Sequence, residues 1–373
     1  MVTVNKTSLS LSLNGIDTSE FNLVWLRDNC QCTECLHPST NERTLITSEI
    51  PDNIAPIASL AAKGNLSIMW NDKQHQSNYS FDWLSENSQA DISAKDDPAK
   101  GEMQLWDKSL EDKIPTFNYK DLREDNDVLL AWCEAIRDIG LAIVRGAPTE
   151  EREIERFADH VACVRETIYD RLHNVRATPG AYNAYNVAST SLELKPHTDM
   201  PNYNNPPGVQ MFHFLVNEAK GGMSTAVDGF NIAHQLKKQD PAAYKTLTEI
   251  QVPFRMYSSR GDIMSENPLL TLDTSGNLKV FRFSNQLTQT LNIPADKMDD
   301  FYHAYRLLGK LIEDPSNMVK FRLNTSDMMA TNNLRVMHGR TSYDVNSGDR
   351  HLQLSYMDYD DVLSRIRMIK KAR

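Results

Sequence analysis

The chain has 373 residues, 40% of them hydrophobic and 24% charged, which is long enough for a small domain beside a large one. Its formal net charge of -10 argues against a nucleic-acid or anionic-membrane partner, because holding a phosphate backbone takes clustered Lys and Arg. A small-molecule partner fits this balance better.

The opening Met1-Val-Thr-Val-Asn-Lys6 lacks an apolar run of signal-peptide length, and no segment reaches the roughly 20 apolar residues of a membrane span. The expectation is a soluble, cytoplasmic protein. Residues 1–90 carry short strand-like runs, Leu9 to Leu13 and Leu66 to Trp70, with few apolar residues to build an independent core. They also carry Cys30-Gln-Cys32-Thr-Glu-Cys35, and three thiols so close in a reducing compartment point to a metal grip rather than disulfides. Tetrahedral zinc needs a fourth ligand, and both His37 and His75 lie within reach in sequence. Apparent binding energies of about 10–16 kcal/mol would compensate the thin core. Cys133 and Cys163 read as small core residues.

Residues 91–114 are polar, charged and aperiodic, and read as a linker or a surface loop. From residue 115 to 373 the pattern is that of one larger domain. Val128 to Ile136 has helical spacing and ends at Gly140, and the strand Leu141 to Val144 follows. A second helix is expected over Glu150 to Val161 with Thr149 as N-cap. Gly208 to Val216 is the clearest strand, with others at Leu278 to Phe283 and Leu352 to Tyr356. Helices are expected at Phe230 to Lys238, Ala242 to Thr248, Ala295 to Glu313 and Val362 to Ile369. This mixture suggests a β-sandwich or barrel buttressed by helices on one side, an α+β arrangement.

The chemistry centres on Lys195-Pro-His197-Thr-Asp199. On a strand, residues two apart share a face, so His197 and Asp199 can chelate one ion. His338, in Met337-His-Gly-Arg340, supplies a third ligand if the fold brings it there, completing a two-His, one-carboxylate set that leaves open positions on a non-haem iron. Arg350, twelve residues later, offers a bidentate fork for the distal carboxylate of a 2-oxoacid chelated at that metal. Ser224 or Thr225 would add a hydroxyl donor.

Taken with Trp25-Leu-Arg-Asp-Asn-Cys30, Asn204-Asn-Pro-Pro-Gly-Val-Gln210, Val227-Asp-Gly-Phe230 and Arg350-His-Leu-Gln-Leu-Ser-Tyr-Met-Asp358, these motifs resemble the γ-butyrobetaine hydroxylase family of Fe(II)/2-oxoglutarate dioxygenases over nearly the whole chain. The resemblance implies a double-stranded β-helix (jelly-roll) catalytic domain, a small, mainly β N-terminal zinc domain and a homodimer. It assigns iron to His197, Asp199 and His338, zinc to Cys30, Cys32, Cys35 and His75, and 2-oxoglutarate to Arg350, with Asn186 beside the co-substrate. O2 is the oxidant, and ascorbate is a candidate accessory reductant. The implied reaction hydroxylates an unactivated C–H of a small trimethylammonium zwitterion and releases succinate and CO2.

Family members hold the trimethylammonium group in an aromatic cage, of which Tyr169 and Tyr356 are retained, while His173 and Ser189 stand where further rings are expected. Tyr182, Tyr185 and Tyr203 are near enough in sequence to rebuild the cage. In Lys279 to Ser284, strand alternation puts Phe281 and Phe283 on one face and Arg282 and Ser284 on the other. Arg282 could thus hold the anionic end, and a phosphonate such as 2-(trimethylammonio)ethylphosphonate is the alternative to a carboxylate. More distant alternatives are a zinc-dependent hydrolase using the same ligands and a non-catalytic zinc-stabilised interaction module.

Overall fold

The computed structural model describes residues 2–13, 16–87, 97–176 and 190–373 and divides into two compact units, 1–97 and 98–373. Residues 98–114, expected as the end of a linker, therefore count with the larger unit. Trp106 is the reason: its ring is buried against the catalytic sheets, its backbone N–H donates to Asp228, and its indole N–H donates to the Ile139 carbonyl. Lys108–Lys113 forms a short 3-10 helix, with Asp107 capping through the Ser109 N–H.

The smaller unit consists mainly of strands. Val2–Val4, Ser8–Leu13 and Ile16–Asn22 form one antiparallel sheet, and Pro56–Ala62, Asn65–Trp70 and Gln76–Ser80 form another. Its core is fuller than the composition suggested. Leu9, Leu11, Phe21, Leu26, Leu66, Ile68, Trp70, Tyr79 and Leu84 form one buried cluster, each large apolar side chain contributing about 1.5–3 kcal/mol. Alternation along Asn65–Trp70 places Leu66, Ile68 and Trp70 on the inner face.

In the larger unit two sheets pack face to face. The six-stranded sheet runs Thr116–Asn118, Leu141–Arg145, Met328–Asn332, Val209–Asn217, Arg350–Met357, His173–Arg176, and the four-stranded sheet runs Leu194–His197, Val336–Arg340, Ser224–Asp228, Met318–Phe321. Phe212, Phe214, Met329, Leu352 and Leu354 from the first meet Ala226, Val319, Phe321 and Val336 from the second. This is a double-stranded β-helix, and its two-residue period sends the alternate side chains outward.

The outward faces correct one expectation: helices buttress both sides. Val209, Met211, Met328 and Ala330 pack on Asn126–Asp138, Glu153–Val161 and Tyr359–Lys371. Val227 and Met337 pack on Gly229–Gln239, Pro241–Glu249 and Ala295–Glu313. The helix expected from Glu150 starts instead at Glu153, preceded by Arg152 at φ +69, and Thr149 does not cap it. Cys133 is buried as expected, whereas Cys163 lies beyond the helix end and is exposed. No described helix is long and apolar enough to cross a membrane.

Candidate active site

His197 is the last residue of Leu194–His197, and antiparallel pairing with Val336–Arg340 sets it directly opposite His338. Gly339 permits this close approach, since a Cβ there would sit 2.5 Å from the Leu194 carbonyl oxygen. Asp199 lies just past the strand, not within it. The chain turns sharply after it, and Met200 takes a left-handed φ of +54. That backbone costs on the order of 1–3 kcal/mol for a residue with a side chain. Asn333 offsets it by accepting from the Asp199 N–H at 2.7 Å and donating to the Asp199 carbonyl at 2.9 Å.

The three side chains converge. Oδ1 of Asp199 is 3.2 Å from Nε2 of His197 and 3.8 Å from Nε2 of His338, while the other oxygen, Oδ2, accepts from Gln210 and from the Tyr356 hydroxyl. Nδ1 of His197 is 2.9 Å from the Lys195 carbonyl, which turns Nε2 toward Asp199, and although burial opposes it the Asp199 carboxylate raises the imidazole above its ordinary value. Burial and the facing His197 push His338 down to about 3, so its ring is neutral. Burial opposes ionisation of Asp199, but the two imidazoles and the Tyr356 hydroxyl outweigh it and hold the carboxyl below its usual range. One carboxylate and two imidazoles on one side of a point make a facial set able to hold a divalent metal with open positions.

The triad opens into a cavity of about 440 Å³ between the sheets. Arg350 lines it, is buried, and has no carboxylate partner among the described residues; its Nε is unpaired as well. Burial and neighbouring Arg340 push it down to about 10, the condition of a guanidinium that lacks its anion. Its plane lies against Phe214 and Tyr343, at 5.4 and 5.2 Å, and Arg340 stacks on Tyr343 at 4.7 Å. A 2-oxoacid carboxylate fits this requirement. Of the two hydroxyl donors expected, Ser224 lines the cavity; Thr225 is on the opposite face of its strand, against Gly339.

Among the substrate residues expected, Tyr169, His173, Ser284 and Tyr356 line the cavity. Tyr203 does not: its hydroxyl accepts from the Ile168 N–H, and Arg165 lies over its ring. Arg282 is also turned away from the cavity, donating to Thr271 Oγ1 and the Asn204 carbonyl. The strand ends at Phe281, so the alternation that paired Arg282 with Ser284 does not extend that far. Tyr182, Tyr185, Asn186 and Ser189 lie outside the described residues. Sequence reasoning missed Met256, on the hairpin Val252–Ser258/Gly261–Asn267, together with Gln210, Asn333 and Gln286. The alternation of Phe254 and Met256 was the available signal for that hairpin.

In the smaller unit, Cys30, Cys32, Cys35 and His75 come together, with His75 Nε2 at 3.3, 3.6 and 3.5 Å from the three sulfurs. Zinc bonds of about 2.3 Å to sulfur and about 2.0 Å to nitrogen, at tetrahedral angles, put ligand atoms about 3.5 Å apart. The agreement favours zinc with four protein ligands. His37 is not among them; its ring accepts from the Thr40 N–H. Arg27 backs the cluster, donating to Cys35 Sγ and, twice, to Asp72.

The paired sheets and the metal-binding face define a non-haem iron oxygenase fold. Residues 102–356 match the taurine catabolism dioxygenase TauD, TfdA family, and residues 2–85 match the γ-butyrobetaine hydroxylase-like N-terminal domain. The chain is 35% identical to the γ-butyrobetaine dioxygenase of Pseudomonas sp. (strain AK-1), covering 95% of this chain and 91% of that protein. It is 29% identical to the trimethyllysine dioxygenase of Meyerozyma guilliermondii (98% and 94% covered) and to the human γ-butyrobetaine dioxygenase (95% and 92%). The non-heme iron oxygenase OrfP, solved with Fe and alpha-ketoglutaric acid, shares the catalytic fold at a TM-score of 0.50 and 16% identity, over 65% of this chain and 84% of that one. The chain belongs to the γ-butyrobetaine hydroxylase family and is an Fe(II)/2-oxoglutarate-dependent dioxygenase, which sets aside the hydrolase and non-catalytic readings.

Proposed function

We propose that this enzyme hydroxylates an unactivated C–H of a small trimethylammonium zwitterion resembling γ-butyrobetaine, with His197, Asp199 and His338 holding iron and Arg350 holding 2-oxoglutarate. The observation that carries the substrate reading is the uncharged wall of Tyr169, His173 and Tyr356 beside the triad, in a cavity to which the described residues contribute no carboxylate other than Asp199. Burial keeps the His173 imidazole neutral, and electron-rich rings attract a quaternary ammonium by about 0.5–2 kcal/mol each.

The iron, with O2 and 2-oxoglutarate, supplies the oxidising power that converts the C–H to C–OH as 2-oxoglutarate becomes succinate and CO2. The chain's residues do the positioning. Arg350 orients the co-substrate through its distal carboxylate, with Ser224 as a hydroxyl neighbour. Gln210 and Tyr356 donate to Oδ2 of Asp199, which would leave Oδ1 to hold a bound metal. Phe212, Phe214, Leu352 and Leu354 keep the interior apolar and exclude water. Ser284 and Gln286 are polar groups of the lining suited to a substrate carboxylate, whereas Arg255 beside them is already paired with Asp262.

A phosphonate substrate is the weaker reading, because Arg282, the cation invoked for it, is engaged elsewhere. Structural zinc at Cys30, Cys32, Cys35 and His75, a homodimer, a cytoplasmic setting and ascorbate as accessory reductant belong to the same proposal. The test is a screen of γ-butyrobetaine, trimethyllysine and 2-(trimethylammonio)ethylphosphonate for stimulated 2-oxoglutarate turnover. γ-Butyrobetaine is expected to stimulate most, and indifference to all three would refute the quaternary-ammonium reading.

A further inference from the structure

The hairpin Val252–Ser258/Gly261–Asn267 contributes a wall of the cavity. Along its first strand Phe254 is wholly buried in the apolar layer, and Met256, two residues on, presents its side chain to the cavity. The Met256 sulfur accepts the Tyr169 hydroxyl at 3.1 Å. Tyr169 in turn lies over His173, ring centroids 4.3 Å apart and tilted by 36°. Tyr356 lines the same space, its own hydroxyl directed at Asp199.

A trimethylammonium group is a cation without an N–H. Its receiving surface must be polarisable and electron-rich, with no proton aimed at it. The pairing of Tyr169 with Met256 meets both conditions: the hydroxyl proton is taken up by sulfur, and a thioether carries lone pairs and no hydrogen of its own to donate. Leucine would fill nearly the same volume but offers no lone pair to the hydroxyl or to a cation. Met256 thus adds a thioether to the three described rings of Tyr169, His173 and Tyr356.

Resting on the trimethylammonium reading above, we propose that Met256 is a specificity-determining residue whose thioether completes the cation-receiving wall of Tyr169, His173 and Tyr356 and holds the Tyr169 ring in place.

The holoenzyme tests this with two ligands of one shape. γ-Butyrobetaine is assayed for its KM in 2-oxoglutarate turnover, and 5,5-dimethylhexanoate, its carbon isostere lacking the positive charge, for its inhibition constant. The ratio of the two constants measures preference for the cation. Met256→Leu is expected to cut that ratio by about threefold to tenfold while leaving the KM for 2-oxoglutarate unchanged, a pattern that a loss of packing alone would not produce. Tyr169→Phe, which keeps the ring but frees the sulfur, should reduce it less. If the wild type prefers the cation and Met256→Leu prefers it equally, the role of Met256 is overturned and the substrate reading stands. If the wild type itself does not discriminate, the substrate reading fails and this inference with it. Should Met256→Leu not fold, Met256→Ile gives the same ratio, and an undiminished preference for the cation overturns the role of Met256 in the same way.

Discussion

The Tyr356 hydroxyl donates to Oδ2 of Asp199 at 2.7 Å from a ring that is almost wholly buried. The same tyrosine therefore lines the cavity and braces a proposed metal ligand. Charge-assisted bonds of this kind contribute about 1.5–3 kcal/mol. Tyr356→Phe keeps the ring and removes the brace. We expect the Fe(II) concentration for half-maximal activity to rise about tenfold, with the KM for 2-oxoglutarate unchanged. Metal titration of the variant checks this, and unaltered metal dependence would remove the bracing role.

Arg350 makes a separable prediction. It is held between Phe214 and Tyr343 and lacks an acid partner among the described residues. Arg350→Lys keeps a charge but loses the planar fork, and should raise the KM for 2-oxoglutarate by about tenfold or more with a smaller change in kcat. Tyr343→Leu, which removes the ring stacked between Arg340 and Arg350, should move the same constant in the same direction by a smaller factor. Steady-state kinetics with 2-oxoglutarate as the varied substrate decides both.

The separation of these residues along the chain explains what the sequence could and could not reveal. His197, Asp199, His338 and Arg350 were legible as candidates because their residue types are those the proposed chemistry requires, and the motifs around them are dense. The register that sets His197 against His338 was not legible, since 139 residues separate Asp199 from His338 and pairing across that distance leaves no periodic trace. Asn333 and Gln210 were missed for the same reason. Each acts through hydrogen bonds to a residue far away in the fold's connectivity rather than through any local pattern. Arg335 is a further case: wholly buried, it pairs with Asp228 and donates to the Gln104 and Asp138 carbonyls, tying the 98–114 segment to the sheets. Arg282 shows the opposite failure, in which a two-residue period was carried past the end of its strand.

Zinc can be tested apart from catalysis. The ligand spacing at Cys30, Cys32, Cys35 and His75 predicts one tightly held zinc per chain beyond any iron. Because metal binding of this kind is coupled to folding, Cys35→Ser should lose that zinc and lower the thermal stability of the 1–97 unit. Metal analysis with a melting curve reports both. Full zinc content in Cys35→Ser would contradict the assignment.

Behind the six-stranded sheet, His213 is fully buried and neither ring nitrogen has a described partner. Burial, aided by nearby His351, pushes it down to about 4. The unfolded chain, with an ordinary value of about 6.5, takes up the proton first as pH falls. Stability is therefore unaffected by this histidine above that value and declines between about 6.5 and 4, the loss reaching about 2 kcal/mol at pH 5. His213→Gln cannot gain the charge. Its stability should change less between pH 7.5 and pH 5 than that of the wild type, as denaturant titrations at about those two pH values would show.

The central claim rests most directly on one assay: succinate formation by the Fe(II)-reconstituted protein with 2-oxoglutarate, with and without γ-butyrobetaine, under air and under nitrogen. We predict succinate production that γ-butyrobetaine stimulates and that requires oxygen. Succinate formation under air that γ-butyrobetaine, trimethyllysine and 2-(trimethylammonio)ethylphosphonate all leave unchanged would contradict the proposed function.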